Sequence, residues 1–211
     1  MTTDERKTLT DRLRNLTRAP LDRCAVFVAR LGIQPDWITA FGLLMVALAA
    51  VFIARGEFLA GGIILLLSLP LDALDGAVAR ALERGGAFGM VLDSTLDRYA
   101  DGFIFAALSY YFAESGRMDM LLAALAALLG SYLVSYIRAR ADDAKVAVSV
   151  TIGWLSRLER VLVLLIMMLA AGLLGSLAPL EIGLLILAIG ANVTALQRLK
   201  HVYTTLRDRG D

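Results

Sequence analysis

The sequence predicts an all-α integral membrane protein: a bundle of six transmembrane helices preceded by an amphipathic helix beside the membrane. Three observations carry this. The chain of 211 residues is 58% apolar and has a mean hydropathy of +0.69, whereas soluble domains lie nearer half apolar. Six stretches approach the roughly 20 apolar residues that a helix needs to cross hydrocarbon. The basic residues collect on one side of the topology those stretches define. A net charge of +1 gives no indication of a nucleic-acid partner, so the placement of charge matters more than its sum.

The elements follow in order. The opening run MTTDERKTLTDRLRNLTRAPLDR is polar, with no apolar core before residue 25, and does not read as a signal peptide. Between residues 8 and 31, basic positions alternate with Leu9, Leu13, Leu16, Leu21, Ala25 and Val26, as expected of a helix on an anionic leaflet. Gln34, Pro35, Asp36 and Trp37 open the first span, where Pro and Asp suit a first turn. Spans are expected near 37–54, 59–81, 90–113, 119–138, 158–174 and 179–200. Connections are short except for 141–156, and no linker or repeat interrupts the chain, so 1–211 reads as one domain. Six spans put both termini on the same side. That side holds Arg6, Lys7, Arg12, Arg14, Arg18, Arg23, Arg30, Arg84, Lys145, Arg207 and Arg209, against Arg55 and Arg117 opposite. Both termini are therefore expected in the cytosol, in a multi-pass protein of the cell membrane.

Span two begins apolar and ends in DALDGAVAR; span three begins with VLDSTLDR and turns apolar. Both charged ends fall on the cytosolic side. Ionisable groups within spans mark function by default, and here their spacing is informative. Asp72 and Asp75 are i, i+3, while Asp93 and Asp97 are i, i+4, so each pair shares one helix face. The short connection ALERGGAF, with Gly85 and Gly86 at its turn, makes the two helices antiparallel neighbours whose acidic faces can converge. Four carboxylates together suit hard divalent cations, Mg²⁺ or Mn²⁺, and a two-ion site clamps phosphate oxygens. Gly76 and Gly89 leave room for a ligand beside the aspartates, and Arg80 can fork a phosphate. The plainer alternative is a set of ion pairs with Arg80, Arg84 and Arg98. A cation channel would spread its carboxylates through the membrane depth, and these cluster on one side.

The run Asp72-x₂-Asp75-Gly76-x₂-Ala79-Arg80-x₈-Gly89-x₃-Asp93-x₃-Asp97 resembles the signature of the CDP-alcohol phosphotransferase family at every fixed position. The resemblance implies a six-span fold, usually a homodimer, with two divalent metals. It implies transfer of a phosphoalcohol group from a CDP-linked donor to a hydroxyl, releasing CMP. Asp72, Asp75, Asp93 and Asp97 would hold the metals, with Asp97 also the general base. Gly76, Ala79, Arg80, Gly86 and Gly89 would lie along the nucleotide, as would Gln34, Pro35, Asp36 and Trp37. SYIRARAD at 135–142 and LDSTLDR at 92–98 are similar to the bacterial phosphatidylinositol-phosphate synthase branch, in a likeness that runs over about residues 20–203. That branch implies CDP-diacylglycerol as donor and inositol phosphate as acceptor; glycerol phosphate is the alternative. Arg138, Arg140, Arg160 and Arg198, at cytosolic span ends, would bind the acceptor phosphate. The family's usual ERxER run is SRLER here, with Ser156 first. The position after the DGxxAR run that often carries Ser or Thr is Gly86. Cys24, the only cysteine, excludes an intrachain disulfide. His201, the only histidine, reads as solvated beside Lys200 rather than as part of a triad.

Overall fold

The computed structural model describes residues 23–82, 86–148 and 152–210. All regular structure among them is helical. Residues 23–30 form a helix, and six long helices follow: α1 (Pro35–Ala54), α2 (Phe58–Ala81), α3 (Ala87–Glu114), α4 (Met118–Asp143), α5 (Arg157–Leu174) and α6 (Ala178–Arg209). The expected spans coincide with these helices, and α4 and α6 run beyond the predicted ends at 138 and 200. Most of the juxtamembrane helix expected at 8–31 lies outside the described residues, as do Arg84 and Gly85.

Four helices, α1, α2, α4 and α6, are long and apolar enough to cross a membrane by composition alone. In α3 and α5, charged residues interrupt the apolar run: Asp93, Asp97, Arg98 and Asp101 in α3, and Arg157, Glu159 and Arg160 in α5. The outward faces are strongly apolar. Leu44, Leu122, Leu129, Ile166 and Ile189 are all more than half exposed, far more greasy surface than water tolerates and what lipid requires.

The chain packs as two units. One comprises the described residues through Leu44 together with Leu67–Asp97. Its core joins the 23–30 helix, the start of α1 and the end of α2 through Ala25, Ile38, Ala77 and Val78, backed by Leu71, Leu74 and Leu82. α2 continues through Pro70, whose missing N–H forgoes the ladder bond to Leu66.

The second unit comprises Met45–Leu66 and Arg98 onward. Here α4 and α6 pack backbone to backbone. A Cβ on Gly130 would stand 2.8 Å from the Asn192 nitrogen, and the Asn192 Nδ2 donates to the carbonyls of Ala126 and Ala188 at 2.8 Å. Small residues and amide side chains are the usual means of joining helices where lipid removes the hydrophobic drive. At the far end, Arg117 bridges Asp119 at 2.9 Å and Glu181 at 2.6 Å, joining the starts of α4 and α6. Hydrogen bonds from Arg117 to Asp119 first, and then to Glu181, hold its guanidinium charged well beyond the ordinary arginine range.

The C-terminus of α4 closes in a Schellman arrangement: Val146 donates to Ala141 at 2.8 Å and Lys145 to Asp142 at 3.0 Å. Lys145 takes a left-handed φ of 55°, a conformation normally left to glycine. The turn is held from both sides. Val146 is buried with Ala141 and Val148 against Val202 and Leu206, and Arg209 donates twice to the Lys145 carbonyl at 3.1 Å.

Candidate active site

The signature residues sit on the last turns of α2 and the first turns of α3. Asp75 and Asp97 are buried, at 6% and 9% exposure, and Asp93 is exposed. The side chain of Asp72 lies outside the described set. Asp75 is fixed from two directions: the Thr39 hydroxyl on α1 donates to its Oδ2 at 2.7 Å, and the Gly76 amide donates to its Oδ1. The Thr39 hydroxyl also lies 3.1 Å from the Pro35 carbonyl. It has one proton, and the shorter contact to a charged acceptor is the stronger. Thr39 was not among the sequence candidates. The only trace of it in the sequence is its place one turn after Pro35, two residues beyond the stretch expected near the nucleotide.

Glycine at 76, 86 and 89 is not demanded by the described packing. A Cβ at Gly76 would meet only the Arg80 Nη1, at an ordinary 3.5 Å, and one at Gly86 or Gly89 would meet nothing within 4 Å. Gly76 and Gly89, both within helices, do not take a positive φ either. Gly76, next to Asp75, and Gly89, one turn before Asp93, thus leave open the space a side chain would take. Ala79 is half-buried; Arg80, Gln34, Asp36 and Trp37 are exposed, and Pro35 starts α1 half-buried.

Among the described residues, no three His, Cys, Asp or Glu side chains form a metal-holding group. The donor set is oxygen-only, with two carboxylates turned inward on neighbouring helices. That chemistry fits a hard divalent cation.

The second unit gathers the arginines. Arg160 and Arg198 are buried, at 5% and 4% exposure. Arg198 donates from Nε to Ile152 O and from Nη1 to Val134 O, both at 3.1 Å. Arg160 donates from Nη1 to Leu155 O at 3.3 Å. Asp101 supplies opposite charge to Arg160, while Arg98, Arg157 and Arg198 bring like charge within electrostatic reach. Arg138, itself exposed, acts on Arg198. Arg140 turns to the surface and pairs with Asp143 at 2.7 Å. Three of the four predicted acceptor arginines are thus neighbours, and Arg98, Asp101 and Arg157, which were not among the four, lie within electrostatic reach of Arg160. Ser156, the departure from ERxER, is the N-cap of α5 in extended conformation. Its amide donates to Glu159 at 2.6 Å, the returning half of a capping box.

Residues 33–196 match the family model described as CDP-alcohol phosphatidyltransferase. The chain belongs to that family. Within it, the phosphatidylinositol phosphate synthase of Streptomyces avermitilis is 38% identical over 182 residues, spanning 83% of this chain and 74% of the relative. The archaetidylinositol phosphate synthase of Methanothermobacter thermautotrophicus is 35% identical over 84% of this chain and 87% of its own. A crystal structure of the Mycobacterium tuberculosis phosphatidylinositol phosphate synthase with CDP-DAG bound superposes with a TM-score of 0.80 at 30% identity, covering 87% of this chain and 94% of that one. A second structure of that enzyme, with manganese and citrate, gives a TM-score of 0.80 at 31% identity, covering 87% and 89%. Resemblance to this CDP-alcohol phosphatidyltransferase branch therefore extends through sequence and fold alike.

Proposed function

We propose that this protein is a membrane phosphatidyltransferase that moves the phosphatidyl group of CDP-diacylglycerol to a hydroxyl of inositol phosphate, releasing CMP. The observation that carries the reading is the pairing of two sets of residues on one chain. One is an oxygen-only aspartate set on α2 and α3; the other is a buried arginine group about Arg160 and Arg198. The first suits a pyrophosphate with its metals; the second suits a second phosphorylated substrate.

Asp72, Asp75, Asp93 and Asp97 would hold two Mg²⁺ or Mn²⁺ ions. When bound, such ions neutralise charge on the pyrophosphate oxygens and polarise the phosphorus under attack. Arg80 and the open backbone at Gly76 and Gly89 receive the nucleotide end, together with Gln34, Pro35, Asp36, Trp37, Ala79 and Gly86. Arg160 and Arg198, with Arg138, orient the inositol phosphate by its phosphate, a task for guanidinium forks; Arg140, paired with Asp143 at the surface, stands outside that group. The free hydroxyl then attacks the lipid-bearing phosphorus. The bond from that phosphorus to the CMP oxygen breaks, and the hydroxyl proton passes to the Asp97 carboxylate. CMP leaves with the bridging oxygen.

In this reading all six helices span the bilayer, with an amphipathic helix before them. Both termini and the α2–α3 connection face the cytosol, where a soluble acceptor is at hand. The chain forms one catalytic domain and works as a homodimer. The similarity to archaetidylinositol phosphate synthases supports a second reading for the donor alone, in which the lipid carries ether-linked tails.

The test is CMP release by the purified protein with CDP-diacylglycerol or its archaeal ether counterpart, against inositol phosphate, free inositol and glycerol phosphate. Inositol phosphate is expected to be used best. Efficient use of glycerol phosphate with inositol phosphate ignored would overturn the acceptor while leaving the reaction class standing.

A further inference from the structure

One hydroxyl organises the segment that leads into α5. Thr194, on α6, is wholly buried. Its Oγ1 donates to Gly190 O at 2.7 Å and accepts from the amides of Trp154 at 3.1 Å and Leu155 at 3.0 Å. One proton given and two received use the full capacity of a hydroxyl. The neighbouring Gly153 lies at φ +119°, where a Cβ would stand 2.2 Å from the Thr194 methyl. The segment is therefore seated on this one side chain, amide and glycine together.

The carbonyls flanking those amides face the buried guanidiniums. Ile152 O receives the Arg198 Nε at 3.1 Å, and Leu155 O receives the Arg160 Nη1 at 3.3 Å. Thr194 and Arg198 are i, i+4 on one face of α6. The hydroxyl thus fixes the amides of residues 154 and 155, and the carbonyls of 152 and 155 in turn fix two arginines on different helices.

We propose that Thr194 is a positioning residue for the acceptor phosphate: it sets the 152–155 segment, whose carbonyls aim Arg160 and Arg198. This rests on the reading that those arginines bind the acceptor. Thr194→Val keeps the shape and removes the oxygen. It is expected to raise the KM for inositol phosphate roughly tenfold, the scale of one misplaced hydrogen bond, with the KM for CDP-diacylglycerol unchanged. Thr194→Ser restores the oxygen and is expected to recover the wild-type value. Gly153→Ala approaches from the other side of the same contact and is expected to raise the same KM.

A merely structural threonine would lower the active fraction, and hence kcat, without moving either KM. Arg198→Ala separates the two ideas. If it raises the acceptor KM while Thr194→Val and Gly153→Ala leave it unchanged, the positioning role is wrong and the acceptor site stands. If Arg198→Ala itself leaves the acceptor KM unchanged, the acceptor site and the positioning role fall together. Should Thr194→Val not yield folded protein, Gly153→Ala decides: a raised acceptor KM supports the role, and an unchanged one refutes it.

Discussion

Removing the Thr39 hydroxyl should loosen the metal site without touching a proposed ligand. Thr39→Val keeps the β-branched shape and deletes the proton that Asp75 Oδ2 receives at 2.7 Å. A hydrogen bond to a charged group contributes about 1.5–3 kcal/mol. At about 1.4 kcal/mol per tenfold, its loss corresponds to a change on the order of 10- to 100-fold in affinity, the usual range when a group orienting a metal ligand is lost. Asp75 keeps its bond from the Gly76 amide, so the carboxylate swings rather than unfolds the site. The expected result is a shift of that size in the Mn²⁺ concentration that half-saturates CMP release, with the rate at saturating Mn²⁺ largely recovered. Thr39→Ser should behave as wild type. A Thr39→Val enzyme with unaltered Mn²⁺ half-saturation would refute the claim that this bond sets a metal ligand.

Three further outcomes are expected. Asp75→Asn and Asp97→Asn, both at buried positions, should each reduce CMP release by at least about 100-fold while the protein still inserts; a chelator should abolish wild-type release, and Mg²⁺ or Mn²⁺ should restore it. A cysteine at Gly86, where an added Cβ meets nothing within 4 Å, placed in a Cys24→Ser background, should react only with reagents admitted to the cytosolic face. Lys145→Gly should relieve the left-handed φ of 55° and stabilise the protein by about 1 kcal/mol, read as a higher midpoint of thermal unfolding in detergent.

The helix positions and the aspartate signature were readable from residue order because both are local. Apolar runs locate spans, and i, i+3 and i, i+4 spacings place Asp72 with Asp75 and Asp93 with Asp97 on common helix faces before any packing is known. What stayed hidden was which side of each helix turns inward. In lipid, the outside of a bundle is as apolar as its interior, so hydrophobic periodicity does not distinguish the two. Hence Arg138, Arg140, Arg160 and Arg198 looked equivalent as sequence. Tertiary packing buries Arg160 and Arg198, leaves Arg138 exposed beside Arg198 and turns Arg140 out to Asp143. The same limit hid Thr39 and Thr194. Each acts through a hydrogen bond to a residue 36 to 40 positions away, and a hydroxyl within an apolar helix looks like any other threonine until folding brings its partner to it.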